Sequence, residues 1–185
     1  MSDFYKFIFT FLLLFSAFNQ SFSDEVNVYT SRHYDSDNAI YEDFTNLTGI
    51  NVTITPTVAS SKILVHFCLG KVSHASNSTG VRFTRSVAGG SAAAIKIGDA
   101  DGNRQRVSSN IMGQGMINAA HAMEFIYQFV DTPTYSVGQA IVYQMQVNNE
   151  GSGNFYVNRS GDDSNDTYIY RGRAFSTMTA MEVSA

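Results

Sequence analysis

Apolar and polar residues alternate along most of the chain from Val52 onward, which is the period of a half-buried β-strand. The clearest example is "KILVHFCL", in which every second residue is apolar. The same alternation marks "MEFIYQFVD", "AIVYQMQV", "NFYVNRS" and "STMTAMEVSA". Turn-forming segments separate these runs: "DTPTYSVGQ", "NNEGSGN" and "SGDDSND", whose acidic residues are expected to solvate a loop tip. Short strands without helical stretches predict a mainly β fold, an antiparallel β-sandwich or jelly roll.

The pattern before Val52 is different. "EVNVYT" alternates and predicts a strand, whereas "DSDNAIYEDFTNLTG" places Ile40, Phe44 and Leu47 at helical spacing. Asp35 or Asp37 could cap this helix, and Gly49 could end it in the left-handed conformation. With "INVTI" as the next strand, this short strand–helix segment resembles the start of a βαβ unit.

The first residues have the pattern of a secretory signal peptide. An apolar run from Phe7 to Phe18 follows Lys6, and the small residues Ser21 and Ser23 suit a cleavage site. The run is short for a membrane span, which takes about 20 apolar residues; a buried helix or a membrane anchor is the alternative. The sequence thus divides into a signal peptide (1–23), an N-terminal segment (24–53) and a β module (54–185).

Composition narrows the class of function. Apolar residues make up 44% of the chain and charged residues 15%, so a buried core is expected. The net charge is −4, without a Lys/Arg run, which argues against nucleic acid as a partner. Residues 24–53 are acidic, with Arg32 as their base, whereas residues 54–185 are nearly balanced. Cys68 has no second cysteine to pair with, and its place in an alternating run predicts a buried, inert thiol.

No motif of an enzyme is present in the sequence. The chain has no G-x-S-x-G, H-E-x-x-H, C-x-x-C or Walker motif, and its histidines (33, 66, 74 and 121) are scattered. Without a nucleophile–base pair, the chain is predicted not to be an enzyme. "DADGN" has the one-three-five oxygen spacing of a calcium loop, but Arg104 stands where that loop needs Gly. An Asp/Gly hairpin turn is the alternative there.

A sharper candidate is "SRHY", in which His33 and Tyr34 offer one nitrogen and one hard oxygen donor, a pairing that suits ferric iron. The surrounding string "EVNVYTSRHYDSDNAIYEDFTNLTGINV" resembles the mature N-terminus of periplasmic ferric-iron-binding proteins of ABC transporters. The resemblance implies that His33 and Tyr34 are iron ligands from a first lobe. That family completes its site with tyrosines of a second lobe, and this sequence has no adjacent Tyr-Tyr pair.

From about Ile54 the chain resembles a β-rich module of tail-fibre and other structural proteins of marine bacteriophages. The resemblance lies in "ITPTVASSKILV", "NRQRVSS", "FVDTPTYSVGQAIVYQMQV" and "FYVNRSGDDSNDTYIYRGRAFSTMTAMEVSA". In this family Pro56, Pro133, Ser60, Ser61 and the closing "MEV" mark the fold rather than a catalytic site. The resemblance implies a virion-surface role in binding or assembly, often as a trimer, with a host receptor (glycan or protein) or other virion proteins as partners.

The two resemblances meet in "EDFTNLTGINVTITP", which fits both families. The leading hypothesis is therefore a non-enzymatic phage virion surface module with an iron-binding-protein-like N-terminus. The alternatives are a secreted periplasmic ferric-iron-binding protein, processed after Ser23, and a chimera whose N-terminal residues play no part in the function of the β module.

Overall fold

The computed structural model describes the backbone of residues 28–33 and the residues 44–74, 78–112, 122–149 and 154–184. Ten strands lie in these ranges: β1 (Val28–His33), β2 (Thr45–Ile54), β3 (Lys62–His74), β4 (Thr79–Val87), β5 (Ala93–Ile95), β6 (Ser109–Met112), β7 (Met123–Asp131), β8 (Ile141–Asn149), β9 (Phe155–Val157) and β10 (Ser176–Val183). No described helix is long and apolar enough to cross a membrane.

The strands form two five-stranded sheets. Sheet A has the order β1-β10-β3-β7, with β9 also paired to β3. Sheet B has the order β2-β8-β4-β5, with β6 also paired to β4. Every pairing is antiparallel. The prediction of a mainly β, antiparallel sandwich is confirmed, and the predicted strands in β3, β7, β8, β9 and β10 all form.

The core lies between the two sheets and follows the alternation seen in the sequence. β3 and β8 each contribute a row of fully buried side chains: Ile63, Val65, Phe67, Leu69, Ile141, Tyr143, Met145 and Val147. The ring of Phe83, from sheet B, lies 4.8 Å from that of Phe67, 4.9 Å from that of Tyr127 and 5.4 Å from that of Phe129, all in sheet A. These aromatic contacts join the inner faces of the sheets, and each such pair contributes about 0.5–1.5 kcal/mol beyond its buried area.

The helix predicted for residues 35–49 is wrong over its last part, because residues 45–54 form β2; residues 35–43 lie outside the described residues. The pairing of β2 with β8 shifts between Asn46 and Asn51, and Gly49 has φ +75°. The predicted left-handed glycine is therefore real, but it belongs to a β-bulge. The bulge brings both Leu47 and Ile50 into the core. Their three-residue spacing resembles that of a helix for this reason.

The predicted start of a βαβ unit is also wrong. β1 pairs with β10 in sheet A, and β2 pairs with β8 in sheet B, both antiparallel. A βαβ unit requires parallel strands in one sheet. Residues 45–54 form one continuous strand across the proposed division between residues 53 and 54. The proposed signal peptide lies outside the described residues.

Cys68 is only partly buried, which corrects the prediction of a core thiol. The inward row of β3 is Ile63, Val65, Phe67 and Leu69, so Cys68 lies on the outer face of sheet A. Burial and the neighbouring carboxylate of Glu124, with an oxygen 3.7 Å from Sγ, raise the pKa of the Cys68 thiol. A raised pKa favours the neutral thiol over the nucleophilic thiolate.

Candidate functional site

The two ends of the sandwich carry different polar structures. β3 runs from one end, at Lys62, to the other, near Lys71, a distance of roughly 30 Å for an extended strand. At the Lys62 end, turns are fastened to the sheets by buried carboxylates. At the Lys71 end lies an exposed loop of residues 158–175, here called the tyrosine loop. Only the second structure presents apolar rings to solvent in a fixed arrangement.

At the Lys62 end, Glu182 of β10 is 4% exposed and accepts hydrogen bonds from the turn that precedes β3. The backbone N–H groups of Thr57 and Val58 donate to it at 2.9 Å each, and the Thr57 hydroxyl donates at 3.0 Å. Burial raises the pKa of Glu182, but the hydrogen bonds from these groups outweigh it and hold the pKa below its ordinary value. The carboxylate therefore fastens the turn to the last strand.

A second turn at this end packs on the first. The Tyr135 hydroxyl donates to the carbonyl of Val58 at 2.6 Å and accepts from the N–H of Ser61 at 2.9 Å. Ser60 has φ +63° in the same turn. The segments "TPTVASS", "DTPTYSV" and "MEV", far apart in sequence, thus meet at one end of the fold. The side chains of Glu182 and Tyr135 hold these segments together.

Asp131, the last residue of β7, joins the two sheets. Its Oδ2 accepts from Arg85 Nη1 at 2.7 Å and from the Tyr143 hydroxyl at 2.9 Å. Arg85 and Tyr143 are neighbours across β4 and β8 in sheet B, whereas Asp131 belongs to sheet A. Burial, followed by the charge of Asp131, raises the pKa of Tyr143, so its hydroxyl stays a proton donor.

The tyrosine loop at the opposite end is closed at its neck by hydrogen bonds. Asn158 adopts φ +64°, and its Oδ1 accepts from the Ser176 hydroxyl at 2.7 Å. The N–H of Asn158 donates to the carbonyl of Lys71 at 2.7 Å, and the N–H of Ala174 donates to the carbonyl of Asn158 at 3.0 Å. Asn tolerates the left-handed conformation better than most residues do. The loop therefore leaves and rejoins the sheet at one fixed point.

Ion pairs fill the loop, which corrects the expectation that its acidic residues merely solvate a loop tip. Arg171, whose side chain is 15% exposed, pairs with Asp162 at 2.5 Å and with Asp166. Asp163 pairs with Arg159 at 2.9 Å and with Arg173 at 2.7 Å. The hydrogen bond from Arg171 holds the pKa of Asp162 below its ordinary value. The acidic and basic groups thus form a network within the loop.

The network supports a 3-10 turn at Ile169–Arg171 that carries exposed rings. The rings of Tyr168 and Tyr170 are stacked, with centroids 5.4 Å apart and planes inclined by 16°. The Arg171 guanidinium lies 5.5 Å from the first ring and 5.0 Å from the second. Lys71 of β3 donates to the carbonyls of Tyr170 at 2.5 Å and of Gly172 at 2.7 Å. The turn is fixed to the sheet beneath it.

Four large apolar side chains of the tyrosine loop face solvent rather than the core. The exposed fractions are 96% for Ile169, 61% for Tyr168, 59% for Phe175 and 41% for Tyr170. Tyr side chains combine a rigid apolar face with a polar edge and lose little entropy on binding, which makes them effective contact residues. The arrangement is chemically suited to recognition of another molecule at its surface.

The predicted iron ligands are only partly within the described residues. His33 ends β1, and its backbone lies opposite Ser176, at the same end of sheet A as the tyrosine loop. Tyr34 lies outside the described residues. The described side chains contain no group of three or more His, Cys, Asp and Glu residues that could hold a metal ion. The iron site at His33 and Tyr34 stays a prediction.

"DADGN" forms a turn. Gly102 has φ +55°, the N–H of Arg104 donates to the carbonyl of Asp101 at 3.2 Å, and the Arg104 guanidinium pairs with the Asp101 carboxylate. Arg104, which stands where a calcium loop needs Gly, thus forms an ion pair with one of the carboxylates that a calcium ion would need. This geometry fits the turn interpretation.

Sequence reasoning missed the tyrosine loop as a site because the contacts that hold it form no motif: its ion pairs join residues up to 10 positions apart, and Lys71 contacts it from β3. Arg159 precedes the acidic residues, and Arg171 and Arg173 follow them. Equal numbers of acidic and basic residues around a Tyr-x-Tyr pair are the signal that could have indicated a folded loop rather than a solvated one.

Comparison with known proteins gives little. No family model matches the sequence. Among solved structures, the chain is similar to a chain in the structure of infectious bursal disease virus, Gx strain, with 17% sequence identity and a TM-score of 0.39. The match covers 88% of this chain and 37% of the viral chain, so this chain spans little more than a third of the length of the viral one. Similarity at this level carries no argument about function.

Proposed function

We propose that this chain is a non-enzymatic recognition module on the surface of a phage virion, with the tyrosine loop as its contact surface for a host receptor. The observation that carries the proposal is the fixed display of Tyr168 and Tyr170 at one end of a rigid sandwich. Binding residues are commonly found on loops positioned by such a scaffold. The resemblance of residues 54–185 to phage structural modules supports the virion as its location.

The proposal includes assembly as a homo-oligomer, for which the phage resemblance implies three chains. β7 is an edge strand of sheet A, nine residues long, and Ile126 and Val130 are about half exposed on its outer face. Long, apolar edge strands are normally covered in native assemblies. Sedimentation of the purified full chain measures the oligomer, and a monomer at micromolar concentration would contradict this part of the proposal.

Location is tested by mass spectrometry of a single tryptic peptide. The peptide from His33 to Lys62, "HYDSDNAIYEDFTNLTGINVTITPTVASSK", joins the two resemblances without an internal cleavage site. We expect it in purified phage particles. Its detection only in a periplasmic fraction would contradict the virion location and favour the secreted iron-binding alternative.

Recognition by the loop is tested with Arg171→Ala. The change removes the partner of two carboxylates and the support of both rings. We expect binding of the labelled full-length chain to host cells to fall about 10-fold, which corresponds to about 1.4 kcal/mol. Global stability should change little, because the loop lies outside the core.

The matched control is Arg104→Ala. Arg104 is also paired with an aspartate, but on an exposed turn with 76% of its side chain accessible. The Arg104→Ala variant should bind host cells as well as the unchanged chain does. Equal loss in both variants, or no loss in Arg171→Ala, would contradict a role of the tyrosine loop in recognition.

A further inference from the structure

We infer that the ligand of the tyrosine loop is an uncharged saccharide; this inference rests on the recognition function proposed above. The rings of Tyr168 and Tyr170 are nearly parallel and exposed, and each carries a hydroxyl at its edge. A pyranose has a matching construction, with a flat face of C–H groups and a rim of hydroxyls. Apolar faces with polar edges are met best by a ligand that is itself amphipathic at this scale.

The charge of the loop selects an uncharged ligand. Asp162, Asp163 and Asp166 are each paired with an arginine of the same loop. Three aspartates are thus matched by Arg159, Arg171 and Arg173. The loop therefore has no net formal charge with which to attract a phosphate, a sulfate, a sialic acid or a cation. Complementary charge is what steers and holds charged ligands.

The paired groups can still bind hydroxyls. An ionised carboxylate has about four acceptor positions, and a guanidinium has five N–H donors. Arg173 keeps 63% of its side chain exposed while it pairs with Asp163. Acceptors and donors thus lie in the same loop as the rings, as recognition of a sugar's hydroxyl rim requires.

The extent of the apolar surface favours a sugar over a protein. A standard protein interface takes about 20–30 residues from each partner. Here the exposed aromatic side chains of the loop are Tyr168, Tyr170 and Phe175. A protein interface of standard size would have to extend well beyond this loop, whereas a sugar of one or two rings can be bound by a patch of this kind.

The contact with each loop is one-sided, which implies weak binding by a single chain. A dissociation constant on the order of 1 mM is the expected scale for such a site. Several copies of the loop in one oligomer would raise the overall avidity by about 10² to 10⁴. The oligomer proposed above would therefore compensate for the weak binding of a single loop.

The first test treats host cells before the labelled full-length chain is added. Mild periodate, which cleaves vicinal diols of surface sugars, should reduce binding at least 10-fold, whereas proteinase K should leave it within 2-fold. The reverse pattern would overturn the saccharide inference and leave the recognition function standing, with a protein receptor. No binding to untreated host cells would instead overturn the recognition function itself.

The second test uses an array that carries neutral hexose and hexosamine oligosaccharides beside sialylated, sulfated and phosphorylated ones. We expect binding to neutral members, reduced at least 10-fold by Tyr168→Ala and by Tyr170→Ala. Tyr168→Phe, which keeps the ring, should bind within 3-fold of the unchanged chain. Binding confined to anionic members would overturn the inference. Binding to no member of the array would also overturn it, if periodate treatment does not reduce binding to host cells either.

Two control variants separate stacking from general apolar contact. Ile169→Ala removes the most exposed apolar side chain of the loop but no ring, and should change array binding by less than 3-fold. Val137→Ala removes an apolar side chain that is 54% exposed outside the loop, and should have no effect. A loss with Ile169→Ala as large as with Tyr168→Ala would show a protein-like contact and contradict the saccharide.

Discussion

Replacing Asp131 by alanine is expected to lower the free energy of unfolding by about 3 kcal/mol, because it leaves Arg85 and the Tyr143 hydroxyl without their shared acceptor. Breaking a buried ion pair by removing one partner costs about 3–5 kcal/mol. The Arg85 side chain is 25% exposed and can be partly hydrated, which places the effect at the lower end of that range.

The same change weakens the link between the sheets, since Asp131 belongs to sheet A and both of its partners belong to sheet B. Urea unfolding followed by far-UV circular dichroism measures the effect; the chain has no Trp, so tryptophan fluorescence cannot be used. Tyr143→Phe, which removes one hydrogen bond and keeps the ring, should cost about 1 kcal/mol.

Asp101→Ala is the matched control for Asp131→Ala. Asp101 also pairs with an arginine, but both side chains are more than two-thirds exposed, and surface ion pairs contribute about 0–1 kcal/mol. In a double-mutant cycle, Asp131→Ala and Arg85→Ala should be non-additive by about 1–3 kcal/mol. Additive effects would contradict the role of the ion pair.

The sequence predicts the strands of this fold where one face is buried and the other is solvated. In β3 and β8 the inward rows are fully apolar, so alternation alone locates the strands and their faces. β4, central in sheet B, is not singled out in this way, because its buried row begins with the polar Thr79 and runs on from Val81 and Phe83 into the half-buried Arg85, while Arg82 is half-buried on the opposite face. The partial burial of these arginines is explained by partners distant in sequence, Phe44 for Arg82 and Asp131 for Arg85.

The errors near the N-terminus have a local cause. Between Asn46 and Asn51 the pairing advances five residues on β2 but only two on β8, so the alternation of buried and exposed positions is interrupted there. Leu47 and Ile50, both buried, are three residues apart, and Gly49 between them has the positive φ that also ends helices. Periodicity and a glycine signal therefore cannot distinguish a bulged strand from the end of a helix over so few residues.

The candidate site was less predictable than the fold. The turns "DTPTYSVGQ" and "SGDDSND" are both recognisable as turns, but nothing local shows that one is fastened to the sandwich end and the other belongs to a loop that presents rings. That difference depends on contacts between residues far apart in sequence, such as Lys71 with Tyr170 and Ser61 with Tyr135. Pairing of this kind leaves no periodic signal.

Replacing Glu182 by glutamine is expected to lower the free energy of unfolding at neutral pH by about 3 kcal/mol. The side chain accepts from the N–H groups of Thr57 and Val58, and hydrogen bonds to a charged group contribute about 1.5–3 kcal/mol each. Glutamine keeps the shape, but its NH2 group would face a backbone donor in place of an acceptor. Glu124→Gln removes the same charge from the exposed outer face of sheet A and should change stability by less than about 0.5 kcal/mol.

The effect of Glu182 should depend on pH in a defined direction. Its pKa in the folded chain is held below the ordinary value of 4.5, so the unfolded chain takes up a proton at higher pH than the folded chain does. The stabilisation by the carboxylate is therefore fully present well above pH 4.5 and is lost as the pH falls through the folded pKa. In Glu182→Gln this part of the acid destabilisation should be missing.

The measurement is urea unfolding of the unchanged chain, Glu182→Gln and Glu124→Gln between pH 3 and pH 8. The difference in unfolding free energy between the unchanged chain and Glu182→Gln should be constant from pH 6 to pH 8 and shrink steadily below about pH 4.5, while Glu124→Gln follows the unchanged chain. A difference that stays constant down to pH 3 would show that the protonated carboxyl of Glu182 stabilises the turn as well as the carboxylate does, so that its charge is not needed. That result would contradict the conclusion that Glu182 holds the Thr57–Ser61 turn through hydrogen bonds to its ionised carboxylate.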